Sequence, residues 1–496
     1  MSARPAAVVV LAAGEGTRMK SSVPKVLHEM GGRTLVGHAV AAARALDPVH
    51  LVVVVGHGRD QVTPHLAQVA PAVTVAVQEH QLGTGHAVSC ALESLPELDG
   101  VVVVTYGDVP LLTGDTLRDL VDLHVEDGNG VTVLTAEVEN PSGYGRVVRD
   151  ASGGILGIVE HKDASGAVQQ IREINSGIYA FDAAVLRDGL ARLTTDNAQG
   201  ELYLTDVVAI ARTDGRGVGA HRTADAVQTE GVNDRVQLAA LGRELNRRIL
   251  DDWMRAGVSV VDPATTWVDV SVQLGRDVVL RPGVQLQGAT RVDDGAEVGP
   301  DSTITDCIVG AGASVVRTHA TGAEIGPECI VGPFTFLRPG TRLARKAKAG
   351  AYVEIKASTV GEGSKVPHLS YVGDAEIGTG VNIGAATVVV NYDGVAKHRT
   401  VVGDHVFIGC DTMLVAPVTV GDGANTAAGS VITEDVPPGA MAVARARQRN
   451  VEGWVERRRA GTPAADAAAR ARAGQTGADG TGDDGGTAGG GEGSQP

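Results

Sequence analysis

Over roughly the first 230 residues, short β-branched runs alternate with stretches of helical period. The runs are Ala6–Leu11, Leu51–Val55, Val73–Val77 and Val101–Thr105; Thr34–Leu46 and Gly85–Leu95 are among the helical stretches. Unbroken valine runs, rather than alternating ones, predict strands of a parallel sheet covered on both faces. The expected class is a doubly wound, Rossmann-like α/β domain over residues 1–233. Asp234–Ala256 then reads as one amphipathic helix, because Leu238, Leu241, Leu245, Ile249 and Trp253 step by three or four and Gly257 comes next as a stop. This helix (234–257) links the first domain to a second of different period.

Beyond it the period changes to six. Val402, Ile408, Leu414, Val420, Thr426 and Ile432 are six apart; so are Ile325, Val331, Leu337 and Leu343, then Val292, Val298 and Ile304, and Val360, Val366 and Val372. A six-residue repeat is the signature of a parallel β-helix, with each aliphatic residue aimed at the axis. The domain spans 258–458. The phase slips near Gly378 and again between Val390 and Thr400, leaving an excursion, Asn391–Arg399. A long loop on a regular solenoid is usually functional. From about Gly461 the chain is rich in Ala, Gly and Asp, and residues 459–496 are expected to be a disordered tail.

Composition narrows the function. Aromatics are only 3% of 496 residues, as a narrow aliphatic solenoid core requires. The net charge of -16 argues against nucleic-acid or membrane-surface partners, so an anionic substrate would need local cations. The four cysteines, Cys90, Cys307, Cys329 and Cys410, match no zinc framework. No signal pattern opens the chain and no apolar run reaches membrane length, which predicts a reduced, soluble, cytoplasmic protein.

The local cations stand in one loop. Leu11-Ala12-Ala13-Gly14-Glu15-Gly16-Thr17-Arg18-Met19 follows the first strand, where α/β proteins bind phosphate. A dinucleotide fingerprint would need glycine at Met19, and a P-loop would need Gly-Lys-Ser where Met19-Lys20-Ser21 stands. Arg18, Lys20 and Lys25 supply positive charge. Gln81–Gly85 offers a second glycine turn, and Tyr106-Gly107-Asp108 sets a carboxylate past the end of a buried strand, either as a helix cap or as a magnesium ligand.

The sequence G-x-G-T-R-M followed by Pro24-Lys25 resembles the signature of sugar-nucleotide pyrophosphorylases. With Gln81–Gly85, Tyr106–Asp108, Gly143–Arg146, Gly157–Asp163 and Glu173–Gly177, it resembles the bifunctional bacterial N-acetylglucosamine-1-phosphate uridylyltransferases and glucosamine-1-phosphate N-acetyltransferases, from Val8 to Trp454. The resemblance implies that UTP or its sugar product lies against Leu11, Ala12, Ala13, Gly14, Arg18, Lys25, Gln78, Gly83, Thr84, Tyr106, Gly107, Asp108, Gly145, Glu160, Asn175 and Asn233, with Lys25 on phosphate. It implies that Asp108 and Asn233 hold Mg²⁺. Asn233 also reads as the N-cap of the linking helix, and both roles are compatible.

A β-helix can be purely structural, so the repeats alone leave open a single-function pyrophosphorylase. Arg338, Lys356 and His368 in the hexapeptide half favour a second activity, since acetylating an amine needs a base and histidine suits that near neutral pH. By resemblance, His368 accepts the proton; Arg338, Lys356, Tyr371 and Asn382 bind the amino-sugar phosphate; and Ala385, Asn391, Tyr392, Cys410, Ala428 and Arg445 line the acetyl-CoA site. The fold implied is a left-handed β-helix assembled as a homotrimer. The chain departs from the family at Cys410, usually serine, and at Ala386, more often glycine. A thiol is the weaker hydrogen-bond donor.

Overall fold

A computed structural model describes residues 3–478. The chain forms two compact units, Met1–Ala442 and a smaller one starting at Val443. In the first unit the valine runs become the centre of a sheet. The strands are β1 (Ala7–Ala12), β2 (His50–Val55), β3 (Thr74–Val77), β4 (Val101–Tyr106), β5 (Val131–Glu137), β6 (Gly145–Arg149), β7 (Ile155–Val159), β8 (Glu173–Asp182) and β9 (Val218–Arg222). The spatial order is β9-β5-β8-β4-β1-β2-β3, with β6 and β7 attached through β8. All six residues of β1 are buried. Ala7, Val9 and Leu11 enter one apolar cluster, while Val8, Val10 and Ala12 enter the cluster on the opposite face. Two-sided burial is why the run shows no polar alternation.

The sheet is mixed, not wholly parallel. β8 runs antiparallel to both β4 and β5. Between β5 and β8 the chain makes the antiparallel β6–β7 pair and a 3-10 turn at Gly166–Gln170, with no crossover helix. A parallel return would have required one.

The linking helix runs from Arg235 to Arg255. Its N-cap is Asp234, whose side chain accepts from the Val236 and Gln237 amides. The expectation that Asn233 caps this helix is therefore corrected by one residue. The apolar stripe divides in two. Leu238, Leu241 and Leu245 pack with Met19, Met30, Leu35, Leu111 and Val232 of the first domain. Ile249, Leu250, Trp253 and Met254 pack on the start of the β-helix. Between the halves lies buried Asn246, which donates to the Thr266 carbonyl (2.8 Å) and accepts from the Val268 amide (3.0 Å).

The β-helix is built of three parallel sheets of 11, 10 and 9 short strands among the described residues. Successive partners such as Arg291, Ile308, Glu324 and Arg342 stand 16 to 18 residues apart, one rung each. Val402, Ile408, Leu414, Val420, Thr426 and Ile432 are all buried, as are the other six-spaced positions. One rung is longer: Glu376 pairs with Val401, and the extra length is the loop between Val390 and Thr400. Tyr392 and Lys397 bridge within it.

In the second unit, Pro463–Ala478 is an α-helix. This corrects the expectation of disorder over that stretch: alanine-rich sequence lacks core-forming side chains but has the highest helix propensity. The remainder of the expected tail, 479–496, lies outside the described residues. Among the described residues, no helix is long and apolar enough to cross a membrane.

Candidate active sites

β1 has β2 on one side and β4 on the other, so the chain's strand order reverses at β1/β4. Loops leaving the C-terminal ends of these two strands diverge there and open a crevice. The loop after β1 carries Leu11–Lys25; the loop after β4 carries Gly107 and Asp108, tied back by Gly107 N–H to the Leu11 carbonyl at 2.9 Å. The result is a cleft of about 260 Å³ lined by Leu11, Ala12, Ala13, Gly14, Lys25, Gln78, Gly83, Thr84, Tyr106 and Asp108, all expected from sequence, together with Gln81 and Glu201. Gln81 donates to the Ala13 carbonyl at 3.2 Å and so ties the second glycine turn to the first.

Gly16 lets the first loop fold back on itself. Its φ is +63°, and a Cβ there would stand 2.5 Å from the Lys25 Cβ. Lys25 is thereby directed at Asp108, and the two side chains form a salt bridge. Met19, at the position where the fingerprint would have glycine, is 1% exposed and packs against the linking helix, so it anchors the loop rather than contacting phosphate. Asp108 caps no helix: the next one begins at Gly114 with Thr113 as its cap.

The two segments that carry the expected metal ligands are joined through the backbone. The Val232 amide donates to the Asp108 carbonyl (2.9 Å), which brings Asn233 alongside, and Arg18 donates to Asn233 Oδ1 at 2.8 Å. A carboxylate and an amide oxygen, both hard donors, fit Mg²⁺ completed by water and phosphate oxygens. Among the described residues there is no group of three or more His, Cys, Asp or Glu that could hold a metal.

Gly145, Glu160 and Asn175 meet one another. Asn175 is opposite Gly145 in register, and a Cβ at Gly145 would be 3.4 Å from Glu160 Oε1. Asn175 accepts from Tyr179 Oη at 3.0 Å. Burial, then repulsion from Asp163 and Asp206, raises the Glu160 pKa. Burial likewise raises that of Tyr106, helped by the negative charges of Glu160 and Asp108.

On the β-helix, two neighbouring corners collect the other expected residues. At one, the Ala351, His368, Ala385 and Cys410 carbonyls accept in turn from the Leu369, Ala386, Asp411 and Gly429 amides. His368, Ala385, Cys410 and Ala428 are therefore consecutive rungs of one edge. Asn382 lies in the strand leading to Ala385. Ala386 has φ +59°, which accounts for a preference for glycine there. Cys410 is exposed and free.

At the other corner, Lys356 pairs with Asp374 through two 3.0 Å contacts, and Asn391 donates to Asp374 at 2.5 Å. Asp374 raises the Lys356 pKa, and Lys356 and Asn391 outweigh burial to lower that of Asp374. Arg338 pairs with Glu354 two rungs below Asp374. Gly373 leaves room for Tyr371 Oη and the Asn391 amide, both of which a Cβ would strike. Tyr392 is exposed in the loop, its hydroxyl on the Gly394 carbonyl. Asp374 was missed in the sequence; its signal was an acid one residue after the Tyr371–Gly373 strand. Arg445 lies in the second unit and is exposed.

Residues 8–175 match the MobA-like NTP transferase domain, and residues 399–434 match the bacterial transferase hexapeptide, six repeats. The "Bifunctional protein GlmU" of Streptomyces avermitilis is 62% identical over 467 residues, covering 94% of this chain and 97% of that protein. Proteins of the same name from Corynebacterium efficiens (58%, over 94% and 97%) and Kineococcus radiotolerans (60%, over 95% and 96%) match similarly. The chain belongs to the GlmU family. A GlmU protein is bifunctional, a uridylyltransferase and a glucosamine-1-phosphate acetyltransferase on one chain. The two GlmU activities correspond to the two folds of the first unit, a nucleotidyltransferase sheet and a hexapeptide solenoid.

Proposed function

We propose that the chain makes UDP-N-acetylglucosamine in two steps: acetyl transfer to glucosamine 1-phosphate over residues 258–458, then uridylyl transfer to the product over 1–233, the two joined by 234–257. The observation that carries the first-domain reading is the convergence of Lys25 on Asp108 beside Arg18 on Asn233 at the mouth of the cleft. In uridylyl transfer a sugar-phosphate oxygen attacks the α-phosphorus of UTP, and the bond to the β-phosphate oxygen breaks. The phosphate is already a nucleophile, so the protein's work is positioning and charge neutralisation. Lys25 and Arg18 face the phosphates. Asp108 and Asn233 would hold Mg²⁺, which when bound offsets charge on the leaving pyrophosphate. Gly145, Glu160 and Asn175 take the sugar.

In acetyl transfer the amine of glucosamine 1-phosphate attacks the thioester carbonyl of acetyl-CoA. His368 accepts the amine's proton, the carbon–sulfur bond breaks, and the thiolate leaves to be protonated as CoA. Lys356 and Arg338 hold the sugar's phosphate, and the Ala385–Cys410–Ala428 edge receives the coenzyme, with Asn391 and Tyr392. A single edge leaves His368 open to solvent. The same corner exposes Phe334, Tyr352 and Leu369 in successive rungs. That apolar stripe beside an open site supports a homotrimer with acetyl sites between subunits. The four free cysteines and the nucleotide substrates support a cytoplasmic setting.

The test is to supply glucosamine 1-phosphate, acetyl-CoA, UTP and Mg²⁺ and omit each in turn. UDP-N-acetylglucosamine should form only with all four. Its formation without acetyl-CoA would refute the coupled reading.

A further inference from the structure

Gln78 follows β3 at the wall of the first-domain cleft and is 3% exposed. Its amide nitrogen stands 3.1 Å from the Gly83 carbonyl and 3.1 Å from His86 Nδ1. A carbonyl can only accept, so the atom facing Gly83 must be the NH₂ group, and the orientation of the amide is decided. The second N–H of that group then meets His86 Nδ1, which must accept. His86 is thereby held as the neutral tautomer with its proton on Nε2. One helical turn on, Cys90 Sγ lies 3.7 Å from Nε2 and receives that proton's weak hydrogen bond. Both Gln78 donors are consumed within the protein. What remains for a ligand is the amide oxygen, an acceptor.

We propose that His86, backed by Cys90, is a positioning residue that makes Gln78 select a pyrimidine with a hydrogen on N3. Uracil donates there; cytosine presents a lone pair at the same atom and is repelled. Without His86 the amide keeps only its bond to the Gly83 carbonyl, so turning it costs one hydrogen bond instead of two and its NH₂ group can more readily serve a cytosine. A polar group that is buried and fixed in one sense rejects the wrong partner far more strongly than apolar packing does. This inference rests on the reading of the cleft as the UTP site.

The experiment compares kcat/KM for UTP and CTP, with N-acetylglucosamine 1-phosphate and Mg²⁺, in the full-length wild type, His86→Ala and Cys90→Ala. His86→Ala should raise KM for UTP and reduce the UTP:CTP ratio at least tenfold, while kcat at saturating UTP stays within about threefold. Cys90→Ala should move the ratio the same way by a smaller factor. Acetyl transfer, measured on the same preparations, reports that each variant is folded. A ratio unchanged in His86→Ala, with the wild type preferring UTP, overturns the role of His86 alone. A wild type that does not turn over UTP overturns the underlying reading. If His86→Ala fails to fold, an unchanged ratio in Cys90→Ala decides against the proposal.

Discussion

Asp108 and His368 occupy opposite kinds of surroundings, and their substitutions should separate the two activities. Asp108 is held by Lys25 in a cleft whose other walls are protein; His368 sits on an open edge. Asp108→Ala removes the carboxylate from the proposed Mg²⁺ pair and leaves Lys25 without its partner. Uridylyl transfer should fall below detection while acetyl transfer is kept. His368→Ala should lower acetyl transfer by roughly two to four orders of magnitude and spare uridylyl transfer. Separate assays with each domain's own substrates check both, and a folded variant losing the two activities together would contradict independent sites. Single residues were unevenly legible in the sequence. The Gly16–Lys25 loop announces itself because tight turns need glycine and phosphates need cations. Asp374 did not, because an acid in a turn has many uses, and only its contacts with Lys356 and Asn391 distinguish it. Asn233 reads as a cap that Asp234 in fact provides, an error of one residue that hydrogen-bond geometry alone resolves.

Among the elements, the linking helix carries more than its apolar stripe suggests. Asn246 interrupts the pattern, and its amide completes Trp267–Val268, the first strand of the ten-stranded sheet, on the side facing the helix. Asn246→Ala would leave the Thr266 carbonyl and the Val268 amide buried and unpaired. The cost should be about 2–4 kcal/mol, seen as a lowered midpoint for the β-helix transition in urea; a midpoint equal to the wild type's would mean that water replaces the amide without loss. Element type was readable wherever burial is regular: a rung's inward position recurs every six residues, and a strand buried on both faces, such as β1, is an unbroken aliphatic run. Strand direction was not readable, since β8 has the same composition whether it runs parallel or antiparallel. The pairing registers show that it runs antiparallel, in keeping with the absence of a crossover helix between β5 and β8.

At the scale of the whole molecule, the exposed corner of Phe334, Tyr352 and Leu369 gives assembly a testable handle. Phe334 and Tyr352 stack at 5.1 Å between ring centroids, with the Arg317 guanidinium over Phe334. Tyr352→Asp should dissociate the proposed homotrimer in sedimentation velocity and depress acetyl transfer with it, while uridylyl transfer persists. A wild-type monomer that acetylates at full rate would remove the trimer from the mechanism. The same corner also behaves as a ruler. Strands stack about 4.8 Å apart, so the three steps from His368 through Ala385 and Cys410 to Ala428 measure about 14 Å along the axis. The graduation comes from backbone hydrogen bonds and is indifferent to side chains, which is why Cys410 can occupy a serine's mark without shifting its neighbours. The length of coenzyme that the proposed site on this edge would accommodate is thus written in whole rungs. Evolution can lengthen or shorten it only by adding or removing a full turn of chain, whereas a loop such as Asn391–Arg399 can grow freely because it leaves the graduation untouched.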